Sequence, residues 1–184
     1  MGSATDGRVP ISMVERSLSA RPFHWIGLLA VAGAAIIADQ LTKEIVVSQL
    51  GLGESVQVVG PLSIRHVSNS GIAFGLFSSW ASFVTLLTAC AVGWMLVYFA
   101  KSGARHPVLP VALGLLIGGS LANLTDRIRL GHVTDFLDLR FWPAFNLADM
   151  FIVVGVAALL AALVAAERQP RLRRHSRPAP KTSG

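Results

Sequence analysis

The stretch that decides the fold is residues 118–149, GGSLANLTDRIRLGHVTDFLDLRFWPAFNLAD. It starts at the polar end of one apolar run, crosses a short loop and enters the next apolar run. It holds four of the chain's ten acidic residues and two amides: Asp126, Asp135, Asp138, Asp149, Asn123 and Asn146. Carboxylates and amides at the edge of a hydrophobic layer are costly, and such residues usually serve a function. The stretch therefore indicates a functional site at a membrane surface.

The composition of the 184-residue chain is that of an integral membrane protein. Hydrophobic residues make up 53% of it, charged residues only 14%, and the mean hydropathy is +0.59. A soluble domain carries about 25% charged residues. The formal net charge of +6 could suggest nucleic acid as a partner, but six of the sixteen basic residues follow Glu167, beside a membrane-length segment. Membrane topology explains that cluster better, so no nucleic-acid partner is expected.

The apolar runs predict four spanning helices, at about residues 23–44, 80–100, 107–125 and 145–166. A cleavable signal peptide is an alternative for the first run, but three more long runs follow it. Short β-branched stretches between residues 46 and 79 predict a small β-element of two or three strands. The fold class is therefore an all-α membrane protein with four transmembrane helices and a small extracytoplasmic β-element.

The flanking segments complete the predicted organisation. Residues 1–22 are expected to form a disordered cytoplasmic arm, residues 23–166 the membrane domain, and residues 167–184 a basic cytoplasmic tail. Of the Lys and Arg residues, eleven fall on the side of the termini and five on the opposite side. The positive-inside rule therefore places both termini in the cytoplasm. Asp39 and the polar residues of the opening stretch then meet at the outer edge of the bilayer.

Three kinds of chemistry could use clustered carboxylates at that depth. His132 or His66 with Asp135 could bind a metal, but a histidine in a loop is more often simply solvated. Ion transport usually needs charges near the bilayer midplane, whereas these lie at one face. An aspartyl dyad fits better, because two close carboxylates share a proton and titrate as a coupled pair. Its ionised member activates water and its neutral member acts as general acid. The single cysteine, Cys90, is expected to be a buried packing residue.

The residues alone do not say which two carboxylates form the dyad. Asp126 abuts Arg127 and lies three residues before Arg129, so an ion pair at the helix end is its expected role. Asp138 lies near Arg140 in the loop and is expected to be an ordinary surface charge. Asp135 and Asp149 are left as candidates.

Five blocks resemble the conserved blocks of the lipoprotein signal peptidase (type II signal peptidase) family, in the family's order: DQLTK (39–43), NSGIAF (69–74), GGSLANLTDR (118–127), GHVTDF (131–136) and FNLAD (145–149). The resemblance covers residues 23–166. It implies an aspartyl endopeptidase of the bacterial inner membrane. Such an enzyme removes the signal peptide of prolipoproteins just before a cysteine that carries diacylglycerol.

The resemblance also implies roles for individual residues. Asp135 and Asp149 match the catalytic pair. The remaining matched positions line or support the substrate site: Asp39, Lys43, Asn69, Gly71, Asn123, Asp126, Arg127, Asn146 and Ala148. Two positions depart from the family pattern, with Ile72 replacing an alanine and Ala122 a glycine, which affects the details of substrate fit. The loop from Asp135 to Asp149 is shorter than in many members, and the resemblance also implies a lid-like helix or loop near the site.

The implied partners are lipidated prolipoproteins and membrane lipids, with no metal and no cofactor. The enzyme is expected to act as a monomer, as a multi-pass protein of the inner membrane with its active site at the outer face. The alternative from another class is a small membrane carrier or a non-catalytic lipoprotein-binding chaperone.

Overall fold

The computed structural model describes residues 22–70, 79–102 and 108–175. Its four helices are α1 Pro22–Gln49, α2 Ser79–Ser102, α3 Leu109–Leu130 and α4 Leu147–His175. Its three strands are β1 Ser55–Val59, β2 Leu62–Asn69 and β3 Val133–Asp138. Each helix contains a segment long and apolar enough to cross a membrane. The predicted fold class, four transmembrane helices with a small β-element, is confirmed.

Helix α3 is the centre of the bundle. In the most apolar stretch of α3, 61% of the residues are buried, whereas the share is 22% or less in the other three helices. Two adjacent glycines let its neighbours approach closely: a Cβ on Gly118 would lie 2.7 Å from the Ala32 carbonyl oxygen of α1, and one on Gly119 would collide with the Ala148 carbonyl oxygen of α4. Small residues commonly permit such contacts between membrane helices. Gly118 and Gly119 are therefore packing positions between α3 and its two neighbours.

The end of α3 lies five residues beyond its predicted position. Gly131 closes the helix with a left-handed φ of 78°, and its N–H donates to the Arg127 carbonyl at 3.1 Å. A left-handed glycine is the usual residue for ending a helix in this way. The chain then enters β3 directly. The residues after the helix are therefore a strand, where the sequence predicted a loop.

The sheet is antiparallel, with strand order β1-β2-β3. Val67 of β2 is paired with Asp135 of β3, and Asn69 with Val133. Two hydrogen bonds join the hairpin of β1 and β2 to the turn that follows α1. The Gly53 N–H donates to the His66 carbonyl at 2.8 Å, and His66 Nδ1 donates to the Leu50 carbonyl at 2.9 Å. In the chain, β1 and β2 come before α2, and β3 comes after α3. The sheet therefore brings residues from these two parts of the chain to one end of the bundle.

Two further predictions about the helices need correction. Helix α4 continues to His175, nine residues beyond its predicted end and into the predicted basic tail. Cys90 is exposed on α2 and not buried, because a helix at the edge of a membrane bundle turns apolar side chains toward lipid. Residues 1–21 and 176–184, together with Gly71 and Ile72, lie outside the described residues. The disordered arm, the end of the basic tail and the domain limits remain predictions.

Candidate active site

The site begins with a buried lysine between two carboxylates. Lys43 Nζ lies 2.7 Å from Asp39 Oδ2 and 2.7 Å from Asp126 Oδ2, and it donates to Asn123 Oδ1 at 3.1 Å. All four residues are at most 5% exposed. An ammonium group has three N–H donors, and these three contacts use all of them. Asp39 and Lys43 are four residues apart on α1, so they lie on the same face of the helix.

Asp126 was predicted to pair with Arg127 or Arg129, and this is wrong. Its side chain points into the bundle, where Lys43 is its ionic partner. Its other contacts are Gln40 Nε2, which donates to Oδ1 at 2.8 Å, and the Thr134 N–H, which donates to Oδ2 at 3.3 Å. Arg127 instead donates weakly to the Asn123 carbonyl at 3.4 Å. The neighbouring arginines were the only partners visible in local sequence, but the helix turns Asp126 away from them.

Asp135 lies on β3 with only 1% of its surface exposed. Its two carboxylate oxygens each accept an amide N–H, Oδ2 from Asn69 Nδ2 at 2.8 Å and Oδ1 from Asn146 Nδ2 at 2.7 Å. Burial raises the pKa of Asp135 above its ordinary value, and the nearby charge of Asp149 acts in the same direction. The two amide hydrogen bonds oppose that rise because they favour the ionised form. Asn69 is the last residue of β2.

Asp149 lies in the first turn of α4 and is half-buried. Its Oδ1 accepts from Asn123 Nδ2 at 2.8 Å, and its Oδ2 accepts from the Asn146 N–H at 3.4 Å. The Asp149 N–H donates in return to Asn146 Oδ1 at 2.9 Å. This reciprocal pattern is that of a capping box, which satisfies free N–H groups at a helix start. Asn146 is therefore the N-cap of α4.

The amide of Asn146 connects the parts of the site. Its Nδ2 donates to Asp135 at 2.7 Å and contacts Asn123 Oδ1 at 3.2 Å, while Asn123 in turn donates to Asp149. The Ala148 N–H closes the network by donating to Asp39 Oδ1 at 2.9 Å. Groups from α1, α3, β3 and α4 therefore form one hydrogen-bonded cluster at one end of the bundle. Such a cluster holds two carboxylates in fixed orientations, as acid–base chemistry requires.

One predicted surface charge, one missed residue and one undescribed residue remain to be placed: Asp138, Gln40 and Gly71. Asp138 ends β3 with its side chain 18% exposed: its Oδ1 accepts the Arg140 N–H at 3.0 Å and its Oδ2 lies 3.6 Å from Arg65 Nη1. This agrees with its predicted role as a surface charge. Gln40 was missed, although its position three residues before Lys43 places both on one face of α1. Gly71 lies outside the described residues.

The family model for signal peptidase (SPase) II matches residues 31–165. The chain belongs to the signal peptidase II family. It is 39% identical over 147 residues to a lipoprotein signal peptidase from Symbiobacterium thermophilum, covering 77% of this chain and 96% of that one. It is 41% identical over 145 residues to a lipoprotein signal peptidase from Haemophilus influenzae, covering 74% of this chain and 84% of that one.

The fold of this signal peptidase also matches solved structures. A bacterial membrane enzyme determined by the in meso method at 1.9 Å resolution superimposes with a TM-score of 0.71 and is 30% identical, covering 79% of this chain and 96% of that one. A second, determined at 2.3 Å, has a TM-score of 0.69 and 28% identity, covering 91% and 98%. The resemblance read from the five sequence blocks is confirmed. The protein is a multi-pass membrane protease of the signal peptidase II family.

Proposed function

We propose that the protein is an aspartic endopeptidase that cuts lipoprotein precursors just before their lipidated cysteine, with Asp135 and Asp149 as its catalytic dyad. The observation that carries the proposal is that Asn146 contacts both carboxylates. Its side-chain amide donates to Asp135 at 2.7 Å, and its backbone N–H and side-chain oxygen engage Asp149. One residue therefore sets the relative orientation of a strand carboxylate and a helix carboxylate.

In the proposed mechanism one member of the dyad is ionised and the other neutral. The ionised carboxylate takes a proton from a water molecule, whose oxygen attacks the scissile carbonyl carbon. The neutral carboxylic acid donates its proton to the carbonyl oxygen as the tetrahedral intermediate forms. When the C–N bond breaks, the leaving amine takes a proton from the carboxyl group that accepted it from water. A hydroxyl of the intermediate gives its proton back to the other carboxylate as the new carboxyl group forms, which restores the dyad. The raised pKa of Asp135 suits such sharing, because it brings one carboxyl group closer to neutrality.

The remaining residues of the cluster are assigned supporting roles. Lys43 and Asp39 anchor α3 and α4 to α1, through contacts to Asn123 and to the Ala148 N–H. Asp126 belongs to this group, because it is held by Lys43 and not directed at the dyad. Asn69 orients Asp135, and Arg127 and Gly71 are assigned to substrate contact on the strength of the resemblance.

The proposed orientation places both termini in the cytoplasm and the site at the outer face of the membrane. The distribution of basic residues supports this, with eleven Lys and Arg on the side of the termini and five on the other. The substrate's apolar segment then enters sideways from the bilayer, and the enzyme acts as a monomer. A cysteine introduced at Ser3 should therefore react with an impermeant thiol reagent only in inside-out vesicles. Labelling of intact spheroplasts at that position would contradict the orientation.

The dyad is tested by replacing each carboxylate with its amide, Asp135→Asn and Asp149→Asn. Each variant is expected to insert normally and to lose cleavage of a lipidated precursor, because neither amide can activate water. Asp138→Asn is the matched control, since this residue points away from the cluster, and it should cut normally. Parental cleavage rates in either dyad variant would rule out the dyad.

The substrate class is tested separately by comparing the same precursor with and without its lipid. The proposal requires that the lipidated form is cut and the unlipidated form is not. Equal cutting of the two forms would contradict the proposed specificity without affecting the dyad.

A further inference from the structure

An apolar depression of about 280 Å³ adjoins Asp149. The other lining residues are hydrocarbon or aromatic: Trp142, Phe145, Met150, Val153 and Val154. The three residues of α4 among them are each more than 40% exposed within a membrane-spanning segment, so the depression opens toward lipid. It runs from Asp149 about one helical turn, roughly 6 Å, toward the bilayer interior. Apart from Asp149, its walls are apolar and suit a hydrocarbon chain.

The outer wall of the depression is Trp142, which lies on a short loop. Phe145 closes the base of this loop by bonding back to β3: its carbonyl accepts from the Leu137 N–H at 2.8 Å, and its N–H donates to the Leu137 carbonyl at 3.0 Å. Trp142 itself is 63% exposed. No helix forms between residues 139 and 146, all of which the structure describes. The segment between β3 and α4 is therefore a loop.

One side chain ties the tip of this loop to the sheet. Arg140 Nη2 donates to Gln57 Oε1 of β1 at 2.9 Å. Gln57 is oriented for this contact because its Nε2 donates to the carbonyls of Gly60 and Leu62 in the hairpin turn. Arg140 has a φ of 63°, a conformation that costs energy for a residue with a side chain. The turn is held by the Phe141 N–H, which donates to the Leu139 carbonyl at 2.7 Å.

We propose that Arg140 and Gln57 are positioning residues that hold Trp142 against the depression, and that the depression binds the first carbons of an acyl chain on the lipidated substrate. This rests on the proposed function. An acyl chain fits the site because its hydrocarbon already lies in the bilayer onto which the depression opens, and because Asp149 would lie beside the lipid-bearing residue. A strained arginine at the turn is explained by its contact with Gln57, since glycine would fit that φ better.

The test measures cleavage of synthetic lipopeptides carrying long or short acyl chains on the cysteine. The variants Arg140→Ala, Gln57→Ala and Trp142→Ala are expected to raise KM for the long-chain substrate roughly fivefold, the scale of one hydrogen bond or contact, with kcat unchanged. For the short-chain substrate KM should change less than twofold. The double variant of Arg140 and Gln57 should show about the same fivefold effect as either single variant, because the two residues form one contact.

Arg140→Gly and Arg129→Ala serve as comparisons. The glycine variant removes the contact but relaxes the backbone, so it should be at least as stable as the parent and still show the raised KM. Arg129→Ala removes an exposed outer arginine and should leave KM unchanged. Any of three results would overturn the inference. These are an unchanged KM in the Arg140 and Gln57 variants, an equal rise in KM for both chain lengths, and a rise in KM that depends on the side chain before the cysteine in the substrate. If Asp149→Asn still abolishes cleavage when one of these results is obtained, the proposed function is unaffected and only the present inference fails.

Discussion

Lys43 offers the sharpest test of how the site is held together. Its ammonium group lies 2.7 Å from each of two buried carboxylates, and the structure places those carboxylates at no more than 4% exposure. Lys43→Met keeps the length of the side chain and removes the charge. Removing one partner of a buried ion pair costs about 3–5 kcal/mol of folding free energy, because a charge is left without compensation. Here two charges are left, so the upper part of that range is expected.

The cost can be measured as a melting temperature. For a protein of this size 1 kcal/mol corresponds to about 2–4 °C, so a loss of about 4–5 kcal/mol should lower the temperature at which Lys43→Met in detergent loses its helical circular dichroism by roughly 8–20 °C. Lys101→Met is the matched control, since Lys101 is exposed at the end of α2, and it should melt with the parent. Adding Asp39→Asn and Asp126→Asn to Lys43→Met removes both orphaned charges and should recover most of the loss. If Lys43→Met melts within 2 °C of the parent, or if the triple variant is no more stable than the single one, the charge-pairing explanation is wrong.

Three further predictions follow from the same cluster. Because its pKa is raised, Asp135 is the neutral member of the proposed dyad, and the rate should fall on the alkaline side as Asp135 ionises; Asn69→Ala removes a hydrogen bond that lowers this pKa, so the alkaline limb of kcat/KM should move to higher pH. Gly119→Ala should lower both melting temperature and cleavage rate by pushing α4 outward, whereas Gly33→Ala, with open space around its Cβ position, should be neutral or more stable by up to about 1 kcal/mol. Gln40→Leu should cost about 1–3 kcal/mol of stability by leaving a buried carboxylate oxygen without a donor, with kcat reduced less than tenfold. An unshifted alkaline limb, equal effects of the two glycine changes, or a parental melting temperature for the Gln40 variant would contradict the respective prediction.

The sequence was sufficient to predict the features that are set by residues close together in the chain. Runs of apolar residues predict spanning helices because the bilayer fixes their length. The Asp39–Lys43 contact was predictable because residues four apart share a helix face. The common depth of the site residues was also predictable from the helices. Asn123 lies near the end of α3 and Asn146 at the start of α4, so both must lie at the same edge of the membrane.

The features that were missed depend on contacts between distant residues. β3 is short and lacks the alternating pattern of a surface strand, because its residues 133–136 are all buried. Asp126 finds its partner 83 residues earlier in the chain, at Lys43, and no spacing rule reports that distance. Cys90 lies in an apolar run, and apolarity in a membrane does not distinguish a side chain facing lipid from one facing another helix.

The hydrogen bond from the Ala148 N–H to Asp39 has a consequence for how the protein is made. The donor belongs to α4 and the acceptor to α1, 109 positions apart in the chain. A chain made only as far as β3 lacks both the donor to Asp39 Oδ1 and the carboxylate to which the Asn123 amide donates. Synthesis of α4 supplies both partners, so the cluster is completed by the last of the four helices that the structure describes. A nascent chain that ends before α4 therefore contains Asp135 without Asp149, and the proposed dyad cannot assemble in it.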